Sequence, residues 1–253
     1  MQIPVNQHRL REVYGRVGQL LRQCRVRGCL VCGEPVDEAG EGGLDSLCAV
    51  CAQVLPWNRH ACPACAQPLP MEEAGRACGA CQRCPPPLAS CHATFAYRWP
   101  MDRLLPGAKF HGDLAASRVL GEWMAAALWR HLPTVPWPEA IVPLPLHRAR
   151  LRRRGYDQAL ELARPLARRL RLPLRHDLLL RTRDTVPQSR LDGPARRLNL
   201  RNAFEVRGGV GLPRHVVLVD DVMTTGTTLH AAANALRRSG IERVDAWVCA
   251  RVP

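Results

Sequence analysis

A chain of 253 residues holds one substantial domain and a smaller one. Its formal charge is +14, yet residues 1–91 carry nine arginines against eight acidic residues, so nearly all of the surplus falls later and fits an anionic ligand or nucleic acid. No run approaches the ~20 apolar residues that span a bilayer and no secretory leader is expected, which argues against a helical membrane protein and for a reducing cytoplasm.

Residues 1–27 are read as an N-terminal amphipathic helix. Leu10, Val13, Tyr14, Val17, Leu20 and Leu21 fall at helical spacing, with Arg9, Arg11, Arg16 and Arg22 mostly elsewhere around it. Packing against the rest of the protein is one role, and peripheral contact with an anionic membrane face is the other.

Residues 28–91 contain four Cys-x-x-Cys pairs. Consecutive pairing sets Cys29, Cys32, Cys48 and Cys51 at one site and Cys62, Cys65, Cys78 and Cys81 at another. Two such pairs complete a tetrahedral four-thiolate zinc site with no open position for water, so the metal is structural. The segment has few large apolar residues, and zinc then supplies folding free energy that the core lacks. Cys84 follows Cys81 at ligand spacing and is an alternative to it, so the count is one or two zinc ions. Gly33 and Gly79 sit where knuckle turns need a permissive backbone. The layout looks like a double zinc ribbon, with a docking role on nucleic acid or protein left open.

After Pro85-Pro86-Pro87, residues 92–253 read as an α/β domain. Ala93 to Trp99 is a strand, followed by a long helical region through Leu104, Leu105, Val119, Leu120, Trp123, Met124 and Leu128, with Trp123 and Trp129 as core residues. Residues 140–146 form a buried strand. His147 to Gln158 is an arginine-rich loop leading into a helix through Leu160, Leu162, Leu166 and Leu170. Arg150, Arg152 and Arg154 carry guanidinium forks that match phosphate oxygens, and Gly155 permits close backbone approach; a solvated basic face is the bland alternative. Leu178 to Leu180 and Ala246 to Cys249 are further strands, the latter burying Cys249. Alternating strands and helices predict a mainly parallel sheet flanked by helices, with ligands at the carboxyl ends of its strands. Residues 185–204 are polar and basic, either a lid or a surface excursion.

Val216 to Val219 form a strand that ends in Asp220 and Asp221. Thr224, Thr225, Gly226, Thr227 and Thr228 follow, and a helix starts at about Thr227 and stops at Gly240. Acids leading into a Gly/Thr turn at a helix N-terminus suit a sugar phosphate: N–H groups hold the phosphate and the acids hold hydroxyls or a metal-bound ligand. The pattern resembles the phosphoribosyl-pyrophosphate signature of type I phosphoribosyltransferases.

The cysteine pairs, Lys109-Phe110, Pro143 to His147, Arg150 to Gln158, Gln188, Leu191, Arg197, Asn199, Ala203-Phe204 and Asp220 to Gly226 together resemble the ComF family. That resemblance implies a double zinc ribbon followed by a type I phosphoribosyltransferase domain, linked to DNA uptake in natural transformation. It implies that Thr224 to Thr228 hold the 5-phosphate of phosphoribosyl pyrophosphate, with Asp220 and Asp221 as catalytic residues on the ribose hydroxyls. Mg²⁺ bridges the pyrophosphate, helped by Arg150 to Arg154. The acceptor is not implied, and the alternative is a non-catalytic accessory that binds single-stranded DNA and DNA-uptake proteins. The family usually has Phe-Asn-Gln where this chain has Tyr156-Asp157-Gln158, which puts a phosphate contact at Asp157 in question.

Overall fold

The computed structural model describes residues 28–36, 46–110, 114–131, 136–184, 203–208 and 211–253. The helix expected in residues 1–27 lies outside the described residues, as do Gln188, Leu191, Arg197 and Asn199. In chain order the elements are α1 (Ala49–Val54), a 3-10 turn (Met71–Glu73), α2 (Gly79–Arg83), β1 (Cys91–Ala96), α3 (Met101–Phe110), α4 (Leu114–His131), β2 (Ala140–Pro143), α5 (Arg148–Arg154), α6 (Gln158–Leu170), β3 (Leu179–Arg181), β4 (Phe204–Val206), β5 (His215–Met223), α7 (Thr227–Arg238) and β6 (Arg243–Arg251).

Val216 to Val219 are too apolar to face water on either side, and they run through the middle of a parallel sheet ordered β1-β6-β5-β2. Alternate residues of β5 serve opposite layers. Val216 and Leu218 pack with Leu229, Ala232 and Leu236 of α7. Val217 and Val219 pack with Leu120, Trp123 and Met124 of α4 and Leu162 and Leu166 of α6. Each large side chain buried in this way contributes about 1.5–3 kcal/mol.

Several expectations need correction. β3 does not join the parallel sheet: it pairs antiparallel with β4 as a separate two-stranded sheet, whose Leu179 and Phe204 pack into the α7 layer. The chain touches the main sheet just before this, through the Ile141–Leu174 bridge, and then turns away. A short apolar run does not encode which strand it pairs with. The helical region after β1 is two helices. Trp123 is fully buried as expected, but Trp129 is 67% exposed, its ring beside Trp137. The arginine-rich segment is the helix α5 and not a loop.

The cysteine module docks on the sheet through backbone. Ala96 N donates to Pro56 O, Asn58 N to Thr94 O, and Cys91 N to Pro63 O. Trp57 forms a bridge with Phe95, and their rings lie 4.7 Å apart. The outer edge of β1 is thereby covered. Leu47 and Leu55 join Phe95 and Trp123 in one apolar cluster, so the module shares the core of the α/β domain.

α4 and α6 approach closely at Gly121. A Cβ there would lie 2.5 Å from Leu162 O and 2.4 Å from the Pro165 ring. Backbone cannot yield as a flexible side chain does, so Gly121→Ala should lower stability by about 1–3 kcal/mol, read as a lower midpoint in urea with an unchanged m-value.

Candidate functional site

β5 does not stop at the acids but continues through Asp220 and Asp221 to Met223. Successive strand residues point to opposite faces, so the two carboxylates approach the strand end from different sides. Asp221 is buried and its Oδ1 accepts from Val222 N at 2.8 Å; Asp220 Oδ1 accepts from Asp221 N at 2.9 Å. The chain then turns through Gly226, whose φ of 75° is left-handed. A Cβ at Gly226 would meet Met223 Cε at 2.4 Å and His230 Nε2 at 2.9 Å, so both conformation and space demand glycine. Gly226 caps α7 without a side-chain cap hydrogen bond, and the first turn of α7 carries no acid. Amide donors at a positive helix end suit an anion. Thr225 Oγ1 and Thr227 Oγ1 lie 2.7 Å apart across the turn.

The basic side of the cleft comes from the β2–α6 connection. His147 caps α5, and Gly155, at φ 85°, ends it and turns the chain toward α6. Asp157 settles the doubt about its own role, because it faces backbone. Its Oδ1 accepts from Ala159 N and Leu160 N, capping α6, and its Oδ2 accepts from Leu146 N at 2.9 Å. Burial pushes this carboxyl above the usual range, against the N–H donors that favour its charged form. The acid therefore ties the strand-exit loop to α6 and fixes where the intervening arginines stand.

These elements enclose a cleft of about 200 Å³. Of the expected residues, Asp220, Asp221, Thr224, Gly226, Thr227, Thr228, Arg150 and Arg154 line it. Thr225 is exposed beside Thr227, while Arg152 and Gly155 are exposed and do not line the cleft. Arg150 Nε also reaches Asp184 Oδ1 at 2.9 Å.

Two cleft residues were not anticipated as ligands. Arg181 projects from β3, its guanidinium 5.6 Å from the Phe204 ring centre, and burial lowers its pKa. Nothing local marked it, because its place depends on the β3–β4 pair. Gln158 is 3% exposed; its Nε2 donates to Ser117 Oγ at 3.1 Å, and its Oε1 has no hydrogen-bond partner among the described residues.

The eight expected cysteines form two groups, Cys29, Cys32, Cys48 and Cys51 and then Cys62, Cys65, Cys78 and Cys81, with ligand atoms of each group within 4.8 Å of one another. Cys84 belongs to neither group and is exposed, so Cys81 completes the second. The halves repeat one another: the Gly28–Pro35 bridge matches Ala61–Pro68, and the Cys29 N to Glu34 O bond matches Cys62 N to Gln67 O. Gly33 has the expected positive φ. Its counterpart is Ala66, at φ 56°, whereas Gly79 is simply the first residue of α2. Burial alone would raise the Cys29 thiol, but backbone N–H groups of Cys32, Cys48 and Val31 pull it down to about 6. Cys62 is similarly pulled down to about 7 by the N–H groups of Cys78, Ala64 and Cys65. Four cysteine sulfurs gathered in each cluster fit structural zinc.

A duplicated four-cysteine module docked on a parallel α/β sheet with an acid-to-threonine turn defines a double zinc ribbon joined to a phosphoribosyltransferase-type domain. Residues 25–82 match the family model for the double zinc ribbon domain and residues 157–253 that for the phosphoribosyl transferase domain. The chain is 32% identical over 228 residues to the DNA utilization protein YhgH of Escherichia coli strain K12, covering 88% of this chain and 96% of that one. It is 35% identical over 178 residues to competence protein F of Haemophilus influenzae, covering 69% and 78%. Competence protein ComFC of Bacillus subtilis is 27% identical over 200 residues, covering 78% and 80%. Adenine phosphoribosyltransferase from Leishmania tarentolae aligns over 56% of this chain and 74% of that one, at 15% identity and a TM-score of 0.29. The chain belongs to the ComF family. No helix among the described residues is long and apolar enough to cross a membrane.

Three measurements follow from this geometry. Burial beneath Gly226 holds the His230 imidazole below its ordinary 6.5. A depressed folded pKa contributes stability that is full above the unfolded value and lost as pH falls through the folded one. Between pH ~7 and ~5 the wild-type melting temperature should therefore fall further than that of His230→Gln. Elemental analysis should return two zinc ions per chain, one for each cluster. Strong chelation should unfold the module and raise exposure of Trp57 to quenchers.

Proposed function

We propose that the cleft binds phosphoribosyl pyrophosphate with Mg²⁺, and that the protein uses this ligand in DNA uptake or utilisation. The observation that carries the reading is the N-terminus of α7 at Gly226, which opens into a cleft also lined by Asp220, Asp221, Arg150, Arg154 and Arg181. The 5-phosphate takes the N–H groups and hydroxyls of Thr224 to Thr228. Asp220 and Asp221 accept from the ribose hydroxyls, and the arginines take pyrophosphate oxygens through charge-assisted bonds. Mg²⁺, when bound, neutralises charge on the pyrophosphate and is held mainly by substrate oxygens and water.

In a transfer reaction the bond from the anomeric carbon to pyrophosphate breaks, and pyrophosphate leaves with the electron pair. The cationic ribosyl centre is stabilised by the two aspartates until an acceptor nucleophile bonds the same carbon. The relatives' names, DNA utilization protein and competence protein, support this process. A reading as a single-stranded DNA-binding accessory is supported by the charge surplus after residue 91, and it is compatible with ligand binding at the cleft.

Calorimetry with phosphoribosyl pyrophosphate and Mg²⁺ tests the assignment. Asp220→Asn combined with Asp221→Asn should weaken binding at least about tenfold, and Gly226→Ala should abolish it by placing a methyl group in the turn. Wild-type affinity in both variants would sink the assignment.

A further inference from the structure

A larger cavity, of about 420 Å³, lies between the zinc ribbon and the sheet. Its walls include the ribbon segment 57–63, residues 90–94 of the β1 region and the start of β6. Asp245 and Trp247 stand beside Val217 and Val219, whereas Asp220 to Met223 stand beside Val248 to Arg251. The cavity is therefore toward the N-terminal ends of the strands, away from the phosphate cleft, and is not an acceptor pocket for that site.

Three indoles, Trp57, Trp137 and Trp247, line it. Trp137 meets Trp247 edge-on at 5.9 Å and 81°, and Trp57 is backed by Phe95. Rings held by such packing give the cavity apolar walls that a guest need not order. The polar part is also fixed. Asn58 is buried and its Nδ2 donates to Ala66 O at 2.9 Å. Thr94 is 3% exposed, and its Oγ1 has no hydrogen-bond partner among the described residues. A buried hydroxyl left unpaired is costly, so it is a position that a guest's polar edge can satisfy. Asp245 Oδ2 lies 2.8 Å from His215 Nε2 and 3.2 Å from Arg243 Nε, and the Arg243 guanidinium limits its repulsion of an anion. Arg59, also in the lining, is exposed.

We propose that this cavity binds a nucleobase, with the attached phosphate held by Arg59 and Arg243. A planar heteroaromatic ring combines a face for the indoles with an edge for Thr94 Oγ1. An aliphatic guest would leave that hydroxyl unpaired, and a neutral aromatic side chain would make no use of the arginines. A free deoxynucleotide and a base of single-stranded DNA share this chemistry. The proposal does not rest on the assignment of the phosphate cleft.

The test uses the full-length, zinc-loaded protein, with tryptophan fluorescence and calorimetry against dAMP, dTMP, a short oligothymidine and ribose 5-phosphate. The base-containing probes should bind and quench, and ribose 5-phosphate should leave the fluorescence unchanged. Trp137→Ala should weaken binding at least about tenfold. Thr94→Val, which removes an unpaired hydroxyl at nearly constant volume, should weaken binding while leaving the melting temperature unchanged or higher. Asp220→Asn should bind the same probes as wild type, separating this cavity from the cleft. Binding confined to mononucleotides identifies a free nucleotide as the ligand, and tighter binding of the oligothymidine identifies single-stranded DNA. Failure of every base-containing probe to bind, or wild-type affinity in both Trp137→Ala and Thr94→Val, overturns the proposal.

Discussion

The backbone hydrogen bonds between segment 56–63 and β1 are the interaction on which the rest of the molecule depends. β1 is the outer strand of a parallel sheet, and its outward-facing amides and carbonyls would otherwise remain unpaired. Pairing Asn58 with Thr94, and Ala96 with Pro56, satisfies part of that edge and anchors a module that has little core of its own. Metal coordination and sheet closure are therefore linked. Cluster-bound cysteines hold the ribbon in shape, and the ribbon's Trp57 in turn covers Phe95. Loss of zinc would reach the α/β domain through this seam.

The cleft at the start of α7 depends on a different constraint, the meeting of two strand exits at one end of the sheet. β5 delivers the acids and the glycine turn, and β2 delivers the arginines through α5. Adjacent parallel strands place both exits side by side, as such sheets require. Asp157 then keeps the second exit in position with three backbone N–H bonds, one to the loop and two to α6. An N-cap of this kind is worth about 1 kcal/mol, and here it also sets the reach of Arg150 and Arg154. Arg181 closes the cleft from the β3–β4 pair, so the site draws on three separate stretches of chain.

The module and the sheet also enclose a space that neither has alone. Trp57 and Asn58 come from the ribbon, Thr94 and Trp247 from the sheet, and Trp137 from the segment entering β2. A cavity assembled at such a seam is one place where binding sites recur. It lies apart from the cleft, so one molecule has room for a sugar phosphate and a base at separate positions.

Much of this was determined by the sequence alone. Spacing within the Cys-x-x-Cys pairs placed all eight thiols correctly, because a knuckle turn is local and four thiolates close a tetrahedron. The run Val216 to Val219, the two acids and the Gly226 turn likewise belong to one continuous stretch whose chemistry can be read residue by residue. Tertiary structure decided the rest. Cys81 was separated from Cys84 only by the direction of α2. β3 left the main sheet because strand partners are chosen by packing, not by composition. Arg152 and Arg154 look alike in sequence, yet a helix of 3.6 residues per turn sends one to solvent and the other into the cleft. Arg181 and the Trp-lined cavity were invisible for the same reason: their partners are distant in the chain and meet only in the folded structure.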